Sequence, residues 1–142
     1  MFGQVSSYNG VHAVTERIDD VTSTGFNVHM QEEENLQDGH VPESFDWIAM
    51  QFGTTDLIDV ALTSAGERRT DITFADRENV ALLADMQTEL GTNTAVMRYD
   101  NLTSNGAEIW VEEERSFDQE IFHLPEEVAV LTASTGVYDF IA

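Results

Sequence analysis

Two stretches of this 142-residue chain bring carboxylates and a histidine together at close spacing: Glu32, Glu34, Asp38, His40 and Glu43, then Glu112, Glu114, Asp118, Glu120, His123 and Glu126. Clusters of this density suit a hard cation, because calcium takes about six to eight oxygens and a loop with several carboxylates supplies most of that shell. The Asp-x-Asp-x-Asp-Gly spacing of an EF-hand is absent, so a calcium site here would be of another kind. Strand alternation lets Glu32 and Glu34 share a side while Glu33 faces away. The competing reading is a solvated acidic face whose histidine and glutamate hydrogen-bond across the loop, and it outweighs calcium. His40 and His123 each stand in His-x-Pro-Glu. A histidine beside a carboxylate can do acid and base work. One that binds backbone carbonyls would recur just as faithfully, so both are assigned to structuring their loops.

Other chemistries find less support. Zinc needs three or four converging nitrogen or sulfur ligands, and the chain has four scattered histidines and no cysteine. Serine elbows and phosphate-cradling glycine loops are absent. Carboxylate pairs suited to glycoside hydrolysis are plentiful, but nothing singles one out, so the chain reads as non-enzymatic.

The two acidic stretches belong to a longer internal repeat. Gly10 and Gly91, Arg17 and Arg98, Thr22 and Thr103, Gly25 and Gly106, Glu32 and Glu113, and Glu33 and Glu114 correspond at an offset of 81 positions. A two-residue insertion then shifts the offset to 83, matching His40 with His123, Pro42 with Pro125, Glu43 with Glu126 and Gly53 with Gly136. The aligned prolines are the only two in the chain, which makes chance a poor explanation and duplication the natural one.

Short strands should position these residues. Phe2 to Asn9, Val14 to Ile18 and an alternating strand through Phe26, Val28 and Met30 precede the first acidic loop, and the apolar run Trp47 to Phe52 follows it as a central strand. Trp47 is expected in the core. Val80 to Leu90 is rich in helix formers, but its repeat partner, with Gly3 and Ser6-Ser7, is a poor helix, so Val80 to Thr88 is read as a strand. Val96 to Tyr99, Ala107 to Glu112 and Val128 to Ala133 complete the second copy. Trp110, out of phase with Ala107, Ile109 and Val111, is expected on an outer face as a ligand-stacking or interface aromatic. The fold class is all-β: two tandem homologous antiparallel β-sandwich units, the first over residues 1–60 and the second over 61–142.

With 27 acidic residues against six basic ones, all arginine, the formal charge is −21. Such a surface repels nucleic acid and anionic membranes, and no stretch is apolar enough to insert as a membrane span. Adaptation to high salt explains it best, since screening relieves the self-repulsion.

At Arg17 to Phe26, followed by Trp47-Ile-Ala49, and at Ile72 to Ala75 with Val80 to Ala84, the chain resembles the H-type lectin domain, a six-stranded sandwich. It also resembles tandem repeats of large secreted adhesin-like proteins of marine microbes, which share the spacing of Glu113 to Glu126. The resemblance implies an extracellular or cell-surface protein that binds glycans or assembles with itself. The lectin family's sugar-binding residue types are missing, because their positions fall on Ala13, Thr94, Glu33-Glu34 and Glu114-Arg115. The leading expectation is therefore a structural or adhesive protein that self-assembles into a filament, sheath or surface layer by sharing strands. The alternative is a lectin-like carbohydrate-binding module of a secreted adhesin, with or without calcium. In the second copy a strand around Phe74 precedes Val80, and no residue stands at the matching place before Phe2, which leaves copy one an opening strand short. Phe2 and Val5 are expected at a subunit interface there, with Arg68, Arg69 and Arg77 meeting a neighbour's acidic face.

Overall fold

A computed structural model of the protein describes residues 1–36 and 39–136. Its strands are β1 (Phe2–Val5), β2 (Val14–Asp19), β3 (Asn27–Glu32), β4 (Phe45–Ile48), β5 (Gly53–Thr54), β6 (Ile58–Ala65), β7 (Thr70–Thr73), β8 (Val80–Met86), β9 (Ala95–Asp100), β10 (Gly106–Glu113) and β11 (Glu126–Ser134). The described chain is all-β and every strand pairing is antiparallel. A single 3₁₀ turn, Glu34–Leu36, interrupts it among the described residues. β6 lies across the expected boundary between residues 60 and 61.

The clearest alternation is in β10, where Ala107, Ile109 and Val111 are buried and Glu108, Trp110 and Glu112 face outward. These three residues join Leu82 and Met86 of β8, Ala95 of β9, Val128 and Val130 of β11 and Ala65 of β6 in one core. A four-stranded sheet, in the order β5-β6-β11-β8, and a three-stranded sheet, β7-β10-β9, thus bury their apolar faces together. The strand at Val80 forms against its helical propensity because β11 pairs along its whole length and Leu82 and Met86 enter the core.

The N-terminal strands form two smaller sheets, β1-β4 and β2-β3. Their registers match those of their repeat partners. Val14 opposite Glu32 and Asp19 opposite Asn27 correspond to Ala95 opposite Glu113 and Asp100 opposite Glu108. Phe2 opposite Ile48 and Val5 opposite Phe45 correspond to Leu83 opposite Leu131 and Met86 opposite Val128. The hairpin turns agree as well. Thr22 and Thr103 each use the amide (2.8 Å) and the hydroxyl (2.9 Å) to bind the carbonyl of the glycine three residues on. Asp20 and Asn101 each take a positive φ, 49° and 50°, which their short polar side chains tolerate.

The halves differ in what covers them. β11 has β6 on its second edge and β10 has β7, whereas β4 and β3 have no such neighbours among the described residues. The segment after residue 54 joins β11 instead. Val28 is consequently 39% exposed where its counterpart Ile109 is 0%, and Trp47 is 57% exposed where Val130 is 6%. This corrects the expectation of a core Trp47 in a central strand. The strand ends at Ile48, and Trp47 meets Phe26 edge to face with centroids 5.4 Å apart. Phe2, expected at a subunit interface, is instead covered by Val60 and Ala129 of its own chain, and Val5 pairs with Phe45.

A matched pair of truncations reads this asymmetry. Ile109→Ala should cost about 2–5 kcal/mol, and Val28→Ala, at an exposed site, within roughly 0.5 kcal/mol, measured by denaturant unfolding at high salt.

Candidate functional site

The chemistry foreseen in the acidic stretches resolves into two latches. In the C-terminal half the Glu126 carboxylate accepts from the Thr88 hydroxyl (2.5 Å), the amides of Leu90 and Gly91 (both 2.9 Å), Nε2 of His123 (3.1 Å) and the Arg17 guanidinium (3.1 Å). Nδ1 of His123 faces Glu113 at 2.9 Å. In the N-terminal half Glu43 accepts from the Ser7 hydroxyl (2.5 Å) and the amides of Asn9 (2.7 Å) and Gly10 (2.8 Å). His40 there turns to carbonyls, with Nδ1 2.7 Å from that of Val41 and Nε2 3.3 Å from that of His12. Glycine is required under both rings. A Cβ at Gly10 would stand 2.1 Å from His40 and one at Gly91 2.5 Å from His123.

The latches differ in the partners of the histidine and in an arginine that reaches Glu126 from the other half. Arg17 lies on β2, opposite His29, and is wholly buried. Besides Glu126 it donates to the carbonyls of Gly91 (3.2 Å) and Asn93 (3.4 Å). Its counterpart Arg98 is more than half exposed and bonded to Glu112. Burial by itself would lower the His123 pKa, but hydrogen bonds to Glu126 and Glu113 outweigh it and raise the value above normal. Burial pulls Glu126 the other way, yet His123, Thr88 and the Gly91 and Leu90 amides hold it down at about 2. Arg17 and His123 thus meet Glu126 and Glu113 in one buried cluster.

The remaining predicted residues scatter. Glu32 faces His12 at 3.3 Å, and Glu112 is taken by Arg98. Glu114 accepts from the Glu34 amide (3.0 Å) and the Ser116 hydroxyl (2.6 Å). Glu34 has its pKa raised by burial and by the charges of Asp118, Glu113, Glu114 and Glu120. Asp38 lies outside the described residues. Of the proposed calcium ligands, Glu43 and Glu126 therefore lie in the two latches, Glu34 and Glu114 meet in a loop contact, and Glu32 and Glu112 stay on strands with His12 and Arg98. Among the described residues, the ligand atoms that come within 4.8 Å of one another belong to Asp19, His29 and Glu89.

The arginines expected to meet a neighbour behave differently from one another. Arg77 is buried on the carbonyls of Asp56 (2.8 Å) and Thr55 (2.9 Å) and beside Asp59 (3.4 Å). Arg69 binds Glu108 (2.6 Å) and Asp100 (2.9 Å) and lies 4.4 Å over the Trp110 ring. Arg68 stands in solvent beside Glu67. Only Arg68 is thus left to an outside partner.

Two features escaped the sequence reading. The Arg17 and Arg98 match was visible, but a repeat gives matched residues without saying that one spans to the other copy. Asp85 carried no motif at all. It borders a cleft of about 410 Å³ with Phe2, Glu16, Asp46 and Trp47, accepts from the Gly3 amide (3.0 Å), and is pushed up to about 7 by burial, with Glu16 adding to the rise.

Three outcomes follow. Glu126→Gln should destabilise by about 3–5 kcal/mol, since it strands Arg17 and His123 in the interior. The depressed Glu126 pKa contributes stability that is present above its ordinary 4.5 and lost as pH falls toward 2. The raised His123 pKa contributes stability that is full below 6.5 and lost as pH climbs through its folded value. The latch is thus strongest between those limits, and His123→Gln should remove the alkaline decline in a melting-temperature profile. Glu34→Gln, relieving like charges, should melt higher than the native chain at ~0.1 M salt, with the gap closing toward ~1 M.

No family model matches the chain, and no solved structure matches it. The chain is similar to halomucin of Haloquadratum walsbyi, with 32% identity over 146 aligned positions that cover 96% of this chain but 2% of the length of halomucin.

Proposed function

We propose that this chain is a two-unit piece of an extracellular, non-enzymatic structural or adhesive array working in high salt, in which β-sandwich units that arose by duplication are completed by strands from a neighbouring unit. Equal registers, equal threonine turns and equal Glu43 and Glu126 latches support the duplication. The −21 charge without lysine supports the saline setting. The likeness to a stretch amounting to 2% of halomucin supports an outside location and a unit made to be strung in a long chain.

The observation that carries the reading is the uncovered face of the N-terminal unit. Val28 and Trp47 are 39% and 57% exposed, and β3 and β4 each keep an edge without a strand among the described residues. At the same places in the C-terminal unit β7 and β6 lie alongside β10 and β11. An open edge of this kind invites strand addition. A two-strand segment like β6–β7, whose strands lie in different sheets, from another unit or another molecule, would meet both edges at once.

A peptide spanning residues 57–75 tests this at high salt, with Trp110→Phe leaving Trp47 as the reporter. Binding should shift Trp47 emission to the blue, and Val28→Asp should abolish the shift. A folded protein whose Trp47 ignores saturating peptide would contradict strand completion.

A further inference from the structure

The junction between the two units is itself built from repeated parts. Its donor side is the outer face of β2–β3, where Arg17, His29 and Gln31 lie together. Its acceptor side is the turn after β8: Arg17 binds the carbonyls of Gly91 and Asn93, His29 lies 3.4 Å from Glu89, and Gln31 donates to Glu89 (3.1 Å) and to the Thr92 carbonyl (3.3 Å). Every one of these positions has a repeat counterpart. Those counterparts are not joined to each other.

The donor counterparts are Arg98, Trp110 and Glu112, on the outer face of β9–β10 in the same cross-strand arrangement, with Arg98 opposite Trp110. The acceptor counterparts are Tyr8, Gly10, Val11 and His12 around the Glu43 latch. Tyr8 and Val11 are 81% and 80% exposed, a large exposure for a tyrosine and a valine on one turn. Glu43, unlike Glu126, receives no arginine.

We propose that these two surfaces join head to tail between copies of this chain, the β9–β10 face of one molecule docking on the Tyr8 to His12 turn of the next as β2–β3 docks on Glu89 to Asn93 within the molecule. The chemistry is complementary residue by residue. Where Gln31 donates to Glu89 inside the chain, the Tyr8 hydroxyl donates to Glu112 between chains. Where His29 meets Glu89, the Tyr8 ring meets the edge of Trp110, whose face is already under Arg69 of its own chain, an aromatic pair of the kind that anchors interfaces. Arg98 exchanges Glu112 for the Gly10 and His12 carbonyls, as Arg17 binds those of Gly91 and Asn93. Because the two surfaces are different, the contact does not close on itself in a pair, and repetition gives a linear chain. The inference deepens the array reading and rests on it, but it uses different residues from the open edges of β3 and β4.

The test uses the full chain at high salt. Sedimentation should show concentration-dependent oligomers for the native protein. Arg98→Ala, which cripples the donor face, and Val11→Asp, which cripples the acceptor face, should each weaken association by roughly tenfold or more, and a 1:1 mixture should recover dimers through the intact face of each. Both sites are exposed, and unchanged melting would confirm that the variants fold. The cysteine-free chain also allows a geometric check: Tyr8→Cys mixed with Trp110→Cys should form disulfide-linked pairs on oxidation, while Arg68→Cys in place of Tyr8→Cys should not. A native chain that stays monomeric, or oligomers indifferent to both substitutions, would overturn the head-to-tail contact. Binding of the 57–75 peptide in that same monomer would leave strand completion standing.

Discussion

The contact on which the rest of the structure depends is the pair of Arg17 and Glu126, because it ties a fully buried charged residue of the N-terminal half into the turn and strand that organise the C-terminal half. Removing two ions from water costs several kcal/mol each, and their attraction repays this only when every remaining donor and acceptor finds a partner. Here Glu126 is met by a hydroxyl, two amides and His123, and His123 by Glu113, while Arg17 Nε and the second Glu113 oxygen are buried without a partner. Such a pair adds little net stability compared with an apolar contact, but it tolerates one alignment of the two halves and penalises the others. In a chain of charge −21 it has a further property. Surface repulsion changes with salt, whereas a buried pair is hardly screened, so the junction stays defined across conditions that alter the surface.

The latches show how one short motif can be structural throughout. Proline in His-x-Pro-Glu fixes the loop's approach, the glutamate gathers the free amides of the turn before β2 or β9, and the histidine lies where glycine leaves room. The N-terminal latch lacks the arginine and its histidine faces carbonyls instead. One scaffold thus occurs in a single chain with and without an arginine from the other half.

What was legible in the sequence depended on whether local pattern and tertiary setting agreed. The period-two alternation of Ala107, Ile109 and Val111 gave β10 correctly because the sheet beside it covers that face. The comparison of Val80–Leu90 with its repeat partner overruled helix propensity, and β8 is a strand. The same logic misled at Trp47, since an apolar run implies burial only if something lies on top of it, and β4 has no second neighbour among the described residues. Phe2 was misplaced for a related reason: β5 and β6 carry Val60 across to it, a crossing no local pattern announces. Arg17 looked like any repeated surface residue, and nothing near Asp85 in sequence hints at the cleft that raises its pKa. Carboxylate density was legible, but whether the oxygens converge on one point or each bind separate donors is decided by distances.

The central claim is that two equivalent units share one architecture and differ in being covered or open. Amide hydrogen exchange at high salt, read residue by residue, measures that difference directly. The account predicts that amides on the outer edges of β3 and β4 exchange far faster than those at the corresponding positions of β10 and β11, while the amides of Asn9, Gly10, Leu90 and Gly91 held by the two latches are protected in both units. Equal protection of β4 and β11 in the monomer would contradict it.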